Sequence, residues 1–541
     1  MQRRKFILLT ASGSAMLPFL TLNSCLNPSE KDPNENSINH SLNGFELEEF
    51  TIEKFQEKMA KGELSAEKIT QLYLDRINAI DKNGIRLNSV IEINPDALQI
   101  AKSLDEERIA GNIRGKMHGI PVLIKDNINT SDKMTTSAGS IALAGNIATK
   151  DAFIIELLRK SGAVILGKTN LSEFANFRST RSVSGWSSRG GQTKNPYVIN
   201  RNPCGSSSGS GTAVAANLCA IAIGTETDGS ITCPSAINGI VGIKPTVGLW
   251  SRNGIIPISF TQDTAGPMAR TVTDAAILLG YLSGKDQNDS KTLAIPETAS
   301  TDFTKFLDIK GLKGKRIGIP KEMAKSPFEK ANALFLKAIE QLKIQGATII
   351  EFEETAKGEI YNAEYEVLLY EFKDGLNKYL ANSGAKVKNL QGIIDFNLKN
   401  EEKAMPYFKQ EILELAQAKG NLDSTEYIEA LKNSHHAAKA FIDGLMKKYI
   451  LDAIVGFAYG PAWCTDFING DHFTNVGMNI PAAIAGYPSI SLPMGFVDEL
   501  PVGLTFVGKP FDEGSLISQA YAYEQASQNR RAPKFIKTLE T

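Results

Sequence analysis

Cys219-Ala220-Ile221-Ala222-Ile223-Gly224-Thr225-Glu226-Thr227-Asp228-Gly229-Ser230 joins an apolar run to a turn of small and polar residues. The apolar half predicts a buried strand, and the Gly229-Ser230 step predicts a tight turn just beyond its end. A strand that stops there presents a hydroxyl and several free backbone N–H groups to one point in space. That arrangement suits acyl chemistry, in which a serine attacks a carbonyl while N–H groups hold the oxyanion. Read alone, the segment is equally an ordinary loop after a core strand.

The pattern repeats outward along the chain. Strand candidates at 121–125, 163–166, 219–223, 316–319, 348–352, 452–455, 488–492 and 502–507 alternate with helical stretches. Helices are predicted near 53–61, 66–81 and 96–110, the last with Asn94-Pro95 as cap and first-turn proline. This alternation predicts an α/β protein, a single large domain with a central mixed β-sheet covered by helices on both faces. At 541 residues the chain is long enough to bury a large core, and it contains no internal repeat. Residues 325–445 read as more helical and more charged, and carry Tyr361, Tyr365, Tyr370 and Tyr379.

Two more segments sharpen the chemistry: Pro203-Cys204-Gly205-Ser206-Ser207-Ser208-Gly209-Ser210-Gly211-Thr212-Ala213, and His118-Gly119-Ile120-Pro121-Val122-Leu123-Ile124-Lys125-Asp126-Asn127. With the Ser230 turn, they resemble the amidase signature family, hydrolases that use a Ser-Ser-Lys triad. The resemblance runs from about residue 45 to about 530 and is densest between 115 and 270. It implies that Ser230 is the nucleophile, Ser206 the bridging serine and Lys125 the base. The backbone N–H groups of Thr227, Asp228, Gly229 and Ser230 match the family's oxyanion hole. It further implies a cis peptide bond at Ser206, an amidase domain over 45–535 and a variable insertion over 325–445. Cys204 and Ser208 depart from the motif, where glycine is more usual.

Physical chemistry supports the lysine on its own terms. An amine is a general base near neutral pH only when its charged form is disfavoured, and burial does this. Lys125 ends the apolar run Pro121-Val122-Leu123-Ile124, while its neighbour Asp126 belongs to the opposite face of the strand.

Rival motifs fare worse. Gly205-Ser206-Ser207-Ser208-Gly209 satisfies a nucleophile-elbow pattern with Ser207 as nucleophile and His472 as partner, yet Asn200-Arg201-Asn202-Pro203 precedes it where a hydrophobic strand is needed. Gly162-Ala163-Val164-Ile165-Leu166-Gly167-Lys168-Thr169 matches a P-loop letter for letter, but its centre reads as a buried strand. The five histidines and five cysteines show no metal-ligand spacing, and nothing in the cysteine spacing demands a disulfide framework. With 59 basic and 60 acidic residues the chain lacks the positive field that nucleic acid requires.

At the N-terminus, Arg3-Arg4-Lys5-Phe6-Ile7 and the apolar stretch to Leu22 resemble a twin-arginine export signal. Leu22-Asn23-Ser24-Cys25 resembles a lipoprotein cleavage site. Residues 1–25 are therefore expected to be an export and lipoprotein signal, with 26–44 a flexible linker too polar to fold. The expectation is an exported, membrane-anchored lipoprotein of the bacterial cell envelope, lipidated at Cys25 and monomeric. The stretches 225–234 and 257–268 look most like the peptide-amidase branch of the family, a resemblance that implies hydrolysis of carboxylic amides, peptide C-terminal amides in particular, to acid and ammonia through an acyl-enzyme. The partner is a small amide or peptide amide; no metal, other cofactor or nucleic acid is expected. Two alternatives share the motifs: a glutamine-hydrolysing subunit of a tRNA-dependent amidotransferase, and a non-catalytic amidase-like binding lipoprotein.

Overall fold

The run that begins at Cys219 becomes a strand, Ile221–Glu226, in the computed structural model, which describes residues 44–474 and 477–539. Thirteen strands are described. In chain order they are β1 (Val90–Ile93), β2 (Pro121–Lys125), β3 (Val164–Thr169), β4 (Trp186–Ser187), β5 (Gly191–Gln192), β6 (Ile221–Glu226) and β7 (Val241–Lys244). The rest are β8 (Thr264–Ala269), β9 (Arg316–Pro320), β10 (Thr348–Phe352), β11 (Ala453–Phe457), β12 (Ser489–Val497) and β13 (Leu500–Val507). Eleven form one mixed sheet in the order β1-β3-β2-β6-β8-β7-β12-β13-β11-β9-β10, and β4 and β5 pair separately.

Every residue of β2, β3 and β6 is buried, as expected of near-continuous apolar strands covered on both faces. These three run parallel, with β2 between its neighbours, so their carboxyl ends open on the same side. In open α/β sheets that edge is where ligands bind. Lys125 ends β2, and Thr225 and Glu226 end β6.

All eight strand candidates are strands, shifted by a few residues at their ends. The central strands β7 and β8 are the main omissions. β8 reads Thr264-Ala265-Gly266-Pro267-Met268-Ala269, where Gly-Pro signals a turn, yet the segment pairs antiparallel with both β6 and β7. The first predicted helices form over Ile52–Ala60, Ala66–Arg76 and Ala97–Ile109. The predicted cap lies two residues too early: the helix starts at Ala97 with Asp96 at its cap position, Pro95 precedes it, and Asn94 Oδ1 accepts the N–H of Asp96 at 3.0 Å. The P-loop look-alike is β3, a buried strand paired with β1 and β2.

Helices flank the sheet: Ser208–Ala215 packs on β2, β3 and β6, and Thr232–Ile237 on β7, β12 and β13. Within 325–445 the helix Glu329–Ile344 and edge strand β10 belong to the sheet layer, so the helical subregion begins only at Gly358. Its long helix, Gly358–Ala381, sends Leu369, Phe372, Leu376 and Leu380 into a second apolar cluster with Phe174, Phe177, Ile256 and Ile258. That cluster walls the carboxyl edge of β2 and β6.

Candidate active site

Lys125 is fully buried, and its Nζ has four hydrogen-bonding neighbours: Ser206 Oγ at 2.8 Å, Ser207 Oγ at 2.9 Å, Thr225 Oγ1 at 2.8 Å and the Thr225 carbonyl at 3.1 Å. All four are uncharged. Burial lowers the lysine to about 7, against the opposing pull of Asp263 and Glu226. The Ser207 hydroxyl donates to Thr225 O at 3.0 Å and accepts the Thr225 N–H at 3.2 Å, so toward Nζ it acts as an acceptor. A neutral amine has two N–H groups, for which Ser207 Oγ and the two oxygens of Thr225 are the acceptors. Its lone pair is then free for the proton of a hydroxyl, and Ser206 Oγ lies within reach. Asp126 faces away as predicted, buried among Ser137, Gly139 and Arg189.

The loop before the helix Ser208–Ala215 carries Ser206. Its Gly205–Ser206 peptide bond is cis. Ser208 Oγ donates to Cys204 O at 2.6 Å, so the serine that departs from the motif tightens the turn without displacing Ser206. Cys204 forms a disulfide with Cys233, 29 residues on and three residues past Ser230. This differs from the sequence expectation. The spacing carries no signal, and the sulfurs meet only because the Ser206 loop and the helix Thr232–Ile237 pack together. Cys219 is a buried thiol and Cys464 an exposed one.

Ser230 stands between the end of β6 and the helix Thr232–Ile237. Glu226 Oε2 accepts the N–H groups of Ile231 at 2.7 Å and Thr232 at 2.9 Å, satisfying donors at the helix start and fixing the turn. The Ser207 N–H donates to Ser230 O at 3.1 Å, binding the two serine loops together. Gly229 takes φ +74°, and a Cβ there would stand 2.7 Å from Tyr459 Oη. The backbone N–H groups of Thr227, Asp228, Gly229 and Ser230 donate to no other described residue.

A cavity of about 290 Å³ brings these groups together. Ser206, Ser230 and Thr227 to Gly229 form its polar floor; Phe177, Leu368, Tyr459, Phe473 and Ile480 line its walls. Asp228 is the carboxylate on this lining, pushed well up by burial and by Glu364 and Glu226 nearby. A second cavity, of about 350 Å³, shares Ala175, Thr227 and Ile258 with the first and reaches Asn127 and Thr225 behind the lysine. Asn127 Nδ2 donates to Thr225 Oγ1 at 3.0 Å.

The elbow pair does not form: Ser207 is buried against Lys125 and Thr225, whereas His472 is exposed. Among the described residues no cluster of three or more His, Cys, Asp or Glu side chains is placed to hold a metal ion. Sequence reasoning quoted Ser207, Thr225 and Asn127 within the motifs but gave none a role toward the lysine. Asp263, Gln262 and Glu364 around Thr227 were also missed; the available signal was a glutamate at an apolar-stripe position of the long helix.

The family model for amidases matches residues 68–517. The chain belongs to the amidase signature family. A probable amidase of Arabidopsis thaliana is 40% identical over 503 residues, covering 91% of this chain and 93% of its own length. The solved structure of the peptide amidase PAM with the competitive inhibitor chymostatin superposes with a TM-score of 0.88 at 49% identity, covering 90% of this chain and 100% of that one. Native peptide amidase from Stenotrophomonas maltophilia gives 0.86 at 48% identity, with 91% and 99% covered. The chain is thus an amide-hydrolysing enzyme, and its sheet and flanking helices are the amidase signature fold.

These structures correct the expected membrane association through a lipidated Cys25 and the expected membrane-anchored lipoprotein of the cell envelope. The fold that about nine-tenths of this chain shares with them buries its apolar surface in its own core. Among the described residues no helix is long and apolar enough to cross a membrane. Residues 1–43, with Arg3, Arg4 and Cys25, lie outside the described residues.

Proposed function

We propose that the enzyme removes the C-terminal carboxamide of peptides, with Ser230 as nucleophile, Ser206 as proton bridge, Lys125 as base and the 227–230 N–H groups as oxyanion hole. Ser230 Oγ attacks the amide carbonyl, its proton passes to Ser206 Oγ, and the Ser206 proton passes to the lone pair of Lys125 Nζ. The carbonyl oxygen becomes an oxyanion received by the free N–H groups of the turn. Collapse breaks the C–N bond; the proton returns through Ser206 to the leaving nitrogen, and ammonia departs. Water then attacks the acyl-enzyme with the same groups taking and returning its proton, which frees the acid and regenerates Ser230.

The observation that carries this reading is the all-neutral hydrogen-bonding shell of a buried lysine lowered to about 7, with Ser206 at 2.8 Å. The peptide assignment draws support from the likeness to peptide amidases and from a cavity with apolar and aromatic walls above a polar floor. The amidase domain is read as 45–535, with the helical part of 325–445 as the region that shapes the cleft, since Leu368 of the long helix lines the cavity.

The test is ammonia release from purified protein. A blocked dipeptide amide is expected to be turned over far faster than free glutamine, and the same peptide extended by one residue to remain intact. A higher kcat/KM on glutamine or on a fatty-acid amide sinks the peptide assignment. Loss of turnover in Ser230→Ala is expected; turnover that persists there sinks the site assignment.

A further inference from the structure

Thr227 begins the turn that carries the unpaired N–H groups, and its carbonyl belongs to the same rigid peptide plane as the N–H of Asp228. Whatever holds that carbonyl therefore aims that N–H. The holder is Gln262, whose Nε2 donates to Thr227 O at 3.3 Å and, with its second hydrogen, to Glu364 Oε1 at 2.8 Å. An amide between a carbonyl and a carboxylate must present its NH₂ to both, which fixes its orientation. Thr227 is held a second time, by its hydroxyl, which donates to Asp263 Oδ1 at 2.5 Å. Asp263 Oδ2 accepts the N–H groups of Ile258 at 2.8 Å and Ser259 at 2.9 Å.

The far end of this clamp is the long helix Gly358–Ala381. Glu364 and Glu371, two turns apart on one face, are both buried. Glu371 accepts from the hydroxyls of Ser259 and Thr261, from the Thr261 N–H at 3.1 Å and from Tyr427 Oη at 2.7 Å. Both glutamates thus grip the 258–263 segment, and Leu368 between them lines the Ser230 cavity. Burying two carboxyl groups on a helix face that hydrophobic residues would otherwise fill is costly unless each is well bonded.

We propose that Glu364 is a positioning residue for the oxyanion turn, acting through Gln262 on the Thr227 carbonyl, so that the helix lining the substrate cavity also sets the aim of the Asp228 N–H. This rests on the active-site reading given above. Its consequence is that the helix contributes to stabilising the oxyanion as well as to holding the substrate.

The test uses the full enzyme with a blocked dipeptide amide as substrate and a peptide aldehyde, whose serine adduct places an oxygen in the oxyanion hole, as inhibitor. Glu364→Leu removes the acceptor and is expected to lower kcat at least tenfold with KM within threefold, and to weaken the aldehyde by a similar factor. Glu364→Gln, whose side-chain carbonyl accepts the same N–H, is expected to restore both to within threefold of wild type. Gln262→Met leaves the helix untouched and is expected to reproduce the loss; it decides the matter if Glu364→Leu does not fold. The inference is overturned if kcat stays within threefold in the variants lacking the bond, if kcat falls without weakening the aldehyde, or if Glu364→Gln falls as far as Glu364→Leu. Ser230→Ala separates the failures: turnover surviving there overturns the active-site reading and this inference with it, whereas an inactive Ser230→Ala beside unaffected Glu364 and Gln262 variants overturns this inference alone.

Discussion

Lys125 Nζ lies 2.8 Å from Ser206 Oγ, and every group it hydrogen-bonds is neutral. A carboxylate in that shell would hold the lysine charged; hydroxyls and a carbonyl solvate it only partly, and burial prevails.

The rate should therefore rise with pH through about 7 and level off above it, because the reactive species is the unprotonated amine that burial favours. Below that range Nζ carries a third proton and has no lone pair for Ser206. A profile of kcat/KM from about pH 5 to about pH 9 checks this, and Lys125→Ala should lose about 10²–10⁴-fold. A Lys125→Ala enzyme with the wild-type profile would take lysine out of the mechanism.

Ser207 bonds to the lysine but, unlike Ser206, does not line the Ser230 cavity. Ser207→Ala removes one Nζ acceptor and both bonds to Thr225, and should cost about tenfold in kcat, the scale of one lost hydrogen bond to a group that changes charge. Fluorophosphonate should still label Ser230 in that variant and label nothing in Ser230→Ala. Mapping the adduct to Ser207 would reverse the assignment.

The Cys204–Cys233 bridge ties the Ser206 loop to the helix after Ser230. Replacing both cysteines by serine should lower unfolding free energy by about 3–4 kcal/mol, the loop-closure value for a 29-residue separation. Denaturant titration measures it. Alkylation of denatured, unreduced protein should modify Cys219 and Cys464 and spare Cys204 and Cys233; modification of Cys204 and Cys233 as well would deny the bridge.

Gly229→Ala should lower kcat at least tenfold, since it combines a φ of +74° with a Cβ 2.7 Å from Tyr459 Oη. The backbone strain costs about 1–2 kcal/mol and the collision displaces the turn that bears the oxyanion donors. Adding Tyr459→Phe relieves the collision but not the strain, so recovery of kcat should be partial. Full activity in the single variant would show that this turn does not need its observed conformation.

Sequence alone determined what is local: apolar runs such as Pro121–Ile124 and 219–223 became buried strands, and the Gly229-Ser230 turn after the second became a loop at the carboxyl edge of the sheet. A run of apolar residues encodes its own burial, and motif resemblance supplied Lys125, Ser206 and Ser230 as candidates. Tertiary structure decided what depends on partners far along the chain. β8 is a strand despite Gly266-Pro267 because β6 and β7 pair with its two edges. Cys204 meets Cys233, Ser207 and Thr225 enclose a lysine 82 and 100 residues away, and Gln262 reaches Glu364 across 102 residues. Short-range pattern fixes the conformation of a segment and which of its faces is apolar. Which polar group meets which is set only when the sheet and helices pack, because a hydrogen bond depends on position to within tenths of an ångström and no local periodicity carries that information.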